Sequence, residues 1–156
     1  MTRPRILHLA ALCLCLVLLA GCGDKTTPLP KADDVLAAVR AAQPFADMTD
    51  LPDKQLNSYL ALEPEWCADE AAVFDVSRYT PEAIIVVTAK DNASRDKVKQ
   101  ALQEYRDNLL EEYRTYLPEQ LPKLQQAKVR EKGLQLVLVI APDDAVTEQT
   151  LNTLWK

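Results

Sequence analysis

The chain has 156 residues, with 18 basic side chains, 23 acidic ones and one histidine, for a formal net charge of −5. A negative balance repels nucleic acid and anionic headgroups at long range, so no nucleic-acid role is expected. Three glycines in all leave no Gly-rich phosphate loop.

The chain opens on an export signal. Arg3 and Arg5 precede an apolar run from Ile6 to Ala20, which is shorter than the roughly 20 residues a spanning helix needs. The run ends in Leu19-Ala20-Gly21-Cys22, which resembles the lipobox of bacterial lipoproteins. In that family the cysteine thiol receives a diacylglyceryl group and the peptide before it is removed. Residues 1–21 are therefore expected to be a signal peptide, Cys22 the lipid attachment site, and membrane lipid a partner through it. An ordinary secretory signal with a chance cysteine is the alternative. Residues 22–31, with two prolines, read as a short tether of at most about 30 Å.

The remaining 135 residues, Cys22–Lys156, carry a net charge of −7 and suit one domain, expected over residues 32–156. His8 leaves with the signal, so triads with histidine, Cys-His pairs and histidine-ligated zinc are excluded. Cys13 and Cys15 leave with it too. Cys67 then has no partner for an internal disulfide. No motif for a cofactor or metal is present, and none is expected.

The first predicted element is a helix over Ala32–Gln43, capped by Asp33 or Asp34, with Val35, Leu36, Val39 and Ala42 as its apolar stripe and Pro44 as its stop. A second short helix is expected over Pro52–Leu62, then a polar loop over Glu63–Glu70 that contains Trp66. Alternation of Ala72, Phe74 and Val76 predicts a strand over Ala71–Ser77. After the turn Tyr79-Thr80-Pro81, the β-branched run inside Glu82–Lys90 predicts another. Asn92 or Ser94 is expected to cap a long helix to Leu117, whose buried face is Val98, Leu102, Tyr105, Leu109, Tyr113 and Tyr116, with Pro118 and Pro122 closing it. Leu124–Glu131 and Leu134–Ala141 read as strands joined at Lys132-Gly133. Thr147 is placed at the start of a last helix that ends near Trp155.

The result is an α+β fold: about four strands, mainly antiparallel, in two hairpins, packed by one long helix and shorter N- and C-terminal helices. The second and fourth strands are apolar on both parities (Ile84, Val86 and Ile85, Val87; Leu136, Leu138 and Val137, Val139), so they are expected at the centre with both faces covered. The long helix is assigned to one face and the N-terminal helices to the other.

Several features together carry a family resemblance. They are the lipobox, the strand Glu82–Val87 running into Ala89-Lys90-Asp91, the long charged helix ending Tyr116-Leu117-Pro118, and the Gly133 hairpin into Leu136–Asp143. Over residues 32–156 this pattern resembles the bacterial lipoprotein family with domain of unknown function 4358. The resemblance implies a Gram-positive-type cell surface and no activity, since that family offers no catalytic residues to carry over. Members often have glycine soon after a tyrosine near Tyr59. Here Leu60-Ala61 follows, which weighs against a turn at that place.

Candidate chemistry is sparse. Gln126, Lys128, Arg130 and Lys132 share one parity of the predicted third strand. They offer either a strip for anionic wall polymer or headgroups, or cations that guard an edge strand. Glu104, Asp107 and Glu111 share a helix side, as a cation bridge or a solvated face. Asp143-Asp144 ends a strand, as an acid pair or a helix cap. Cys67 is a redox or an incidental thiol. Trp66 is a recognition aromatic or a packing one. The reading that follows is a non-catalytic, membrane-anchored module on the outer face of the cytoplasmic membrane, binding an envelope protein or cell-surface ligand, with Trp66, Lys128, Arg130 and Lys132 as its possible interaction residues. A small extracytoplasmic carboxylate-dependent hydrolase is the alternative.

Overall fold

The computed structural model describes residues 28–156. The expected signal peptide, Cys22 and most of the expected tether lie outside the described residues. The elements in chain order are α1 (Ala32–Ala42), β1 (Thr49–Asp50), α2 (Asp53–Leu60), a 3₁₀ turn (Pro64–Trp66), β2 (Cys67–Phe74), β3 (Ala83–Ala89), α3 (Asn92–Tyr116), a second 3₁₀ turn (Pro118–Gln120), α4 (Leu121–Gln126), β4 (Val129–Lys132), β5 (Gln135–Ile140) and α5 (Asp144–Leu154). Helix and sheet are mixed as expected, and one antiparallel sheet runs β1-β2-β3-β5-β4.

The two doubly apolar strands, β3 and β5, are indeed central. Ile85, Val87, Leu136, Leu138 and Ile140 point into one core, while Ile84, Val86, Val137 and Val139 point into the other. Each of these nine side chains is at most 1% exposed, and burying one such side chain is worth about 1.5–3 kcal/mol. The first core is closed by Val98, Leu102 and Tyr113 of α3 and by Leu56 and Leu60 of α2. The second is closed by Val35 and Val39 of α1 and Leu151 of α5. The expectation that both N-terminal helices share a face fails. Between α1 and α2 the chain crosses the sheet edge through β1, so α2 joins the long helix and α5 joins α1.

Other boundaries move for local reasons. The sheet has five strands, because the two-residue β1, exposed at both positions, is too short to leave a pattern. β2 begins at Cys67 inside the expected loop and stops at Phe74, where the Asp75 side chain organises a loop instead. The expected strand Leu124–Glu131 is a helical turn followed by a short strand. Pro122 sits in the first turn of α4, where a missing N–H costs nothing, and Leu121 and Leu124 face the core at helical spacing. Tyr116 is exposed rather than buried.

The caps differ as well. α3 is capped by Asp91, which accepts from the Ser94 amide at 2.7 Å, not by Asn92 or Ser94. α1 has no side-chain cap from Asp33 or Asp34; Asp69 of β2 accepts from the Ala32 amide at 2.7 Å. α5 starts three residues earlier than Thr147, with Asp143 accepting from Ala145 and Val146.

The register defines two ends of the sheet. Cys67, Ala89, Gln135 and Lys132 mark one, and Phe74, Ala83 and Ile140 the other. They stand about 20 Å apart along the strands. The chain enters at the first end, where the Pro30 carbonyl accepts from Gln135 Nε2 at 2.8 Å.

Candidate functional site

Trp66 does not converge with the basic residues singled out in the sequence. Trp66 leads into β2 and packs against the α3-side core, with the Lys97 ammonium 5.1 Å from its ring centre. β4 lies at the opposite edge of the sheet. Of the four-residue strip, Lys128, Arg130 and Lys132 line one open concavity of about 400 Å³ with Glu148 and Trp155, and Gln126 leaves it. Gln126 is in α4 and donates to the Ala141 carbonyl at 3.0 Å. Lys128 pairs with Glu148 at 3.3 Å. Arg130, 9% exposed, places one nitrogen 2.7 Å from both carboxylate oxygens of Asp144. Of the three cations, only Lys132 is left without an ion-pair partner among the described residues.

The acids are likewise engaged. Glu104, Asp107 and Glu111 accept from Gln100, Arg106 and Arg114 along α3, and no group of metal-binding side chains forms among the described residues. Asp143 caps α5 and Asp144 holds Arg130. Burial, reinforced by Glu70, pushes the half-buried Cys67 thiol up to about 12, so it is a poor nucleophile.

A second concave feature lies at the far end of the sheet. A groove of about 500 Å³ runs between α2, α3 and the loop after β2. Its floor is aromatic. The Tyr59 and Phe74 rings meet edge to face at 5.1 Å, and Tyr105 closes the triangle at 5.6 Å from Tyr59 and 6.1 Å from Phe74. Tyr59 is nonetheless 53% exposed, and Val76 at the rim 56%. Gln55, Asn108, Arg78 and Glu112 supply polar groups. Burial, with Tyr59 beside it, keeps the Tyr105 phenol well above its usual range and therefore neutral.

The loop 75–82 forms one wall and is tightly held. Asp75 accepts from the amides of Ser77 (2.8 Å) and Thr80 (3.1 Å) and from the Thr80 hydroxyl (2.9 Å). The Tyr113 hydroxyl donates to the carbonyls of Arg78 (3.0 Å) and Thr80 (2.8 Å). Burial acts to raise the Asp75 carboxyl, but these hydrogen bonds outweigh it and hold the group below its usual value. Arg78 sits in the left-handed region at φ 65°, which costs a non-glycine residue of order 1 kcal/mol. It is paired with Glu112 across the groove mouth. Below the loop, Glu82 is 4% exposed and tied to Lys123 at 2.6 Å and to the Ala46 amide at 2.7 Å.

These groove residues escaped the sequence reading because they come from three separated segments. The one signal is the tyrosine spacing of the long helix, in which Tyr105 falls on the expected buried face.

The family model described as Domain of unknown function (DUF4358) matches residues 41–141. The chain belongs to this family. The match takes in the whole DUF4358 sheet and every residue of the groove, and it leaves out most of α1 and all of α5. No curated protein and no solved structure matches the chain. No helix among the described residues is long and apolar enough to cross a membrane.

Proposed function

We propose that this DUF4358 protein is a lipid-anchored module on the outer face of the cytoplasmic membrane that binds an envelope partner and performs no chemistry itself. The groove carries the binding half of this reading. Half-exposed aromatic surface, ringed by an ion pair and two amides, is what a recognition site offers. The four residues Leu19-Ala20-Gly21-Cys22 support the anchoring half. Two acyl chains on one cysteine give stable attachment, at about 0.8 kcal/mol per buried methylene.

A carboxylate-dependent hydrolase is the competing reading. It needs an acid whose pKa is raised so that it can donate a proton at neutral pH. Asp75 is held low instead, and its acceptor positions are taken by Ser77 and Thr80.

The test compares the native protein with Cys22→Ser and Tyr59→Ser in source-cell membranes. Lipid labelling and processing are expected in the native protein and Tyr59→Ser and absent in Cys22→Ser. Cross-linked partner is expected to fall in Tyr59→Ser. Normal processing of Cys22→Ser overturns the anchoring half. Unchanged capture by Tyr59→Ser overturns the binding half.

A further inference from the structure

The exposed hydrophobic surface is not scattered. Among the described residues its large members are Tyr59, Val76, Tyr79 and Tyr116, from 53% to 72% exposed. All four stand at the groove end of the sheet. Tyr59 lies on the groove floor, and Val76 and Tyr79 belong to the loop 75–82. Tyr116 ends α3, one turn beyond the Tyr113 that holds this loop. Clustered apolar exposure of this kind marks a binding surface. Three of the four are tyrosines. A tyrosine offers a polar hydroxyl and a ring whose negatively polarised face attracts C–H groups.

The polar groups of the groove narrow the ligand. Gln55 and Asn108 are exposed amides, each able both to donate and to accept. Arg78 and Glu112 form an exposed pair across the mouth, and such a pair opens at little cost. An acyl chain would leave all four groups without partners. An anionic chain would meet two carboxylates, Asp75 and Glu112, against one guanidinium. The three floor rings touch one another, so they make a platform and not a cage around an ammonium ion. A peptide strand would need main-chain partners, and the wall loop has few to spare. The amides of Asp75, Ser77, Tyr79, Thr80 and Glu82 are all bonded within the loop, and Tyr113 takes the carbonyls of Arg78 and Thr80. A sugar meets each condition. Its hydroxyls donate and accept, its C–H faces stack on rings, and it needs no charge.

We infer that the groove binds a neutral saccharide chain, which stacks on Tyr59 and hydrogen-bonds through its hydroxyls to Gln55, Asn108 and the Arg78–Glu112 pair. The inference rests on the binding half of the reading above and names its ligand. A volume of about 500 Å³ is within the usual range of small-ligand sites. Tyr79 and Tyr116 carry the aromatic surface past the groove itself, as a chain of several sugar units requires.

The test titrates the full chain, held in detergent, with chitotetraose, cellotetraose and tetragalacturonate. Calorimetry gives the affinity, and the side-chain amide signals of Gln55 and Asn108 place the site. The first two probes are neutral and differ in their acetamido groups, so the tighter one tells an amino-sugar chain from a plain glucan. Saturable binding of at least one neutral tetramer is expected, with both amide signals shifted and with tetragalacturonate bound about ten-fold more weakly or worse. Tyr59→Ala and Asn108→Ala are each expected to weaken neutral binding by about ten-fold. Asn108→Ala keeps the fold, because alanine suits an exposed helix position. Binding of neither neutral tetramer overturns the inference, as does tetragalacturonate bound equally well or affinity unchanged in Asn108→Ala. If Tyr59→Ser then still loses its partner in source-cell membranes, the binding reading stands with a ligand other than sugar. Unchanged capture there overturns both.

Discussion

Ala61 shows how a single position can mislead. With Leu60-Ala61 and no glycine there, the sequence argues against a turn after α2. The turn forms nonetheless. Ala61 takes φ 54° and the amides of Ala61 and Leu62 both reach the Asn57 carbonyl, the arrangement that ends many helices on glycine. The buried Leu60 and Leu62 on either side hold it there. Ala61→Gly removes the Cβ penalty, partly offset by the looser unfolded chain, and is expected to raise stability by about 0.5–1 kcal/mol in urea denaturation. A loss of stability would mean that the left-handed turn is not populated. Asp91 and Asp143 teach a related lesson. Capping chemistry was legible at both helix starts, but the true cap lay one residue before Asn92 and four before Thr147, because several Asp, Asn, Ser and Thr side chains compete at each boundary.

At the scale of elements, β3 and β5 were legible because they are apolar at every turn of the pleat. The α3 helix was legible through its spacing of three and four. What failed were elements whose partners, not their own pattern, define them. The polar first half of β2 is a strand because β3 pairs with it from Cys67 onward. α4 is a helix because Leu121 and Leu124 meet the core three residues apart. The loop 75–82 belongs to the same class, since the Asp75 carboxylate and the distant Tyr113 hydroxyl shape it. Because Asp75 is held below its unfolded value, the stabilisation it gives is present above that value, near 3.9, and is lost as pH falls through the lower folded one. Amide exchange in residues 77–80 is expected to accelerate below about pH 4 in the native protein, beyond the intrinsic pH dependence of exchange. In Asp75→Asn that added pH dependence should be gone, and protection that is equally pH-sensitive in both proteins would contradict the assignment.

At the scale of the whole molecule, the fold class, the central strands and the two-sided covering were readable from the sequence. The site was not. Trp66, Arg130 and Lys132 were selected by residue type, and the topology puts Trp66 and β4 at opposite edges of the sheet. The groove needs α2 carried across the sheet edge by a two-residue strand, a crossing that no local pattern announces. What emerges is a domain with two ends. The incoming chain and both tryptophans gather at one; the aromatic groove and the braced Arg78–Glu112 mouth stand at the other. The most direct test places a photo-cross-linking residue at Tyr59 or at Lys132 of the full protein in native membranes. Partner adducts at position 59 and none at position 132 are the expected result. Partner adducts at position 132 with none at position 59 would contradict this polarity.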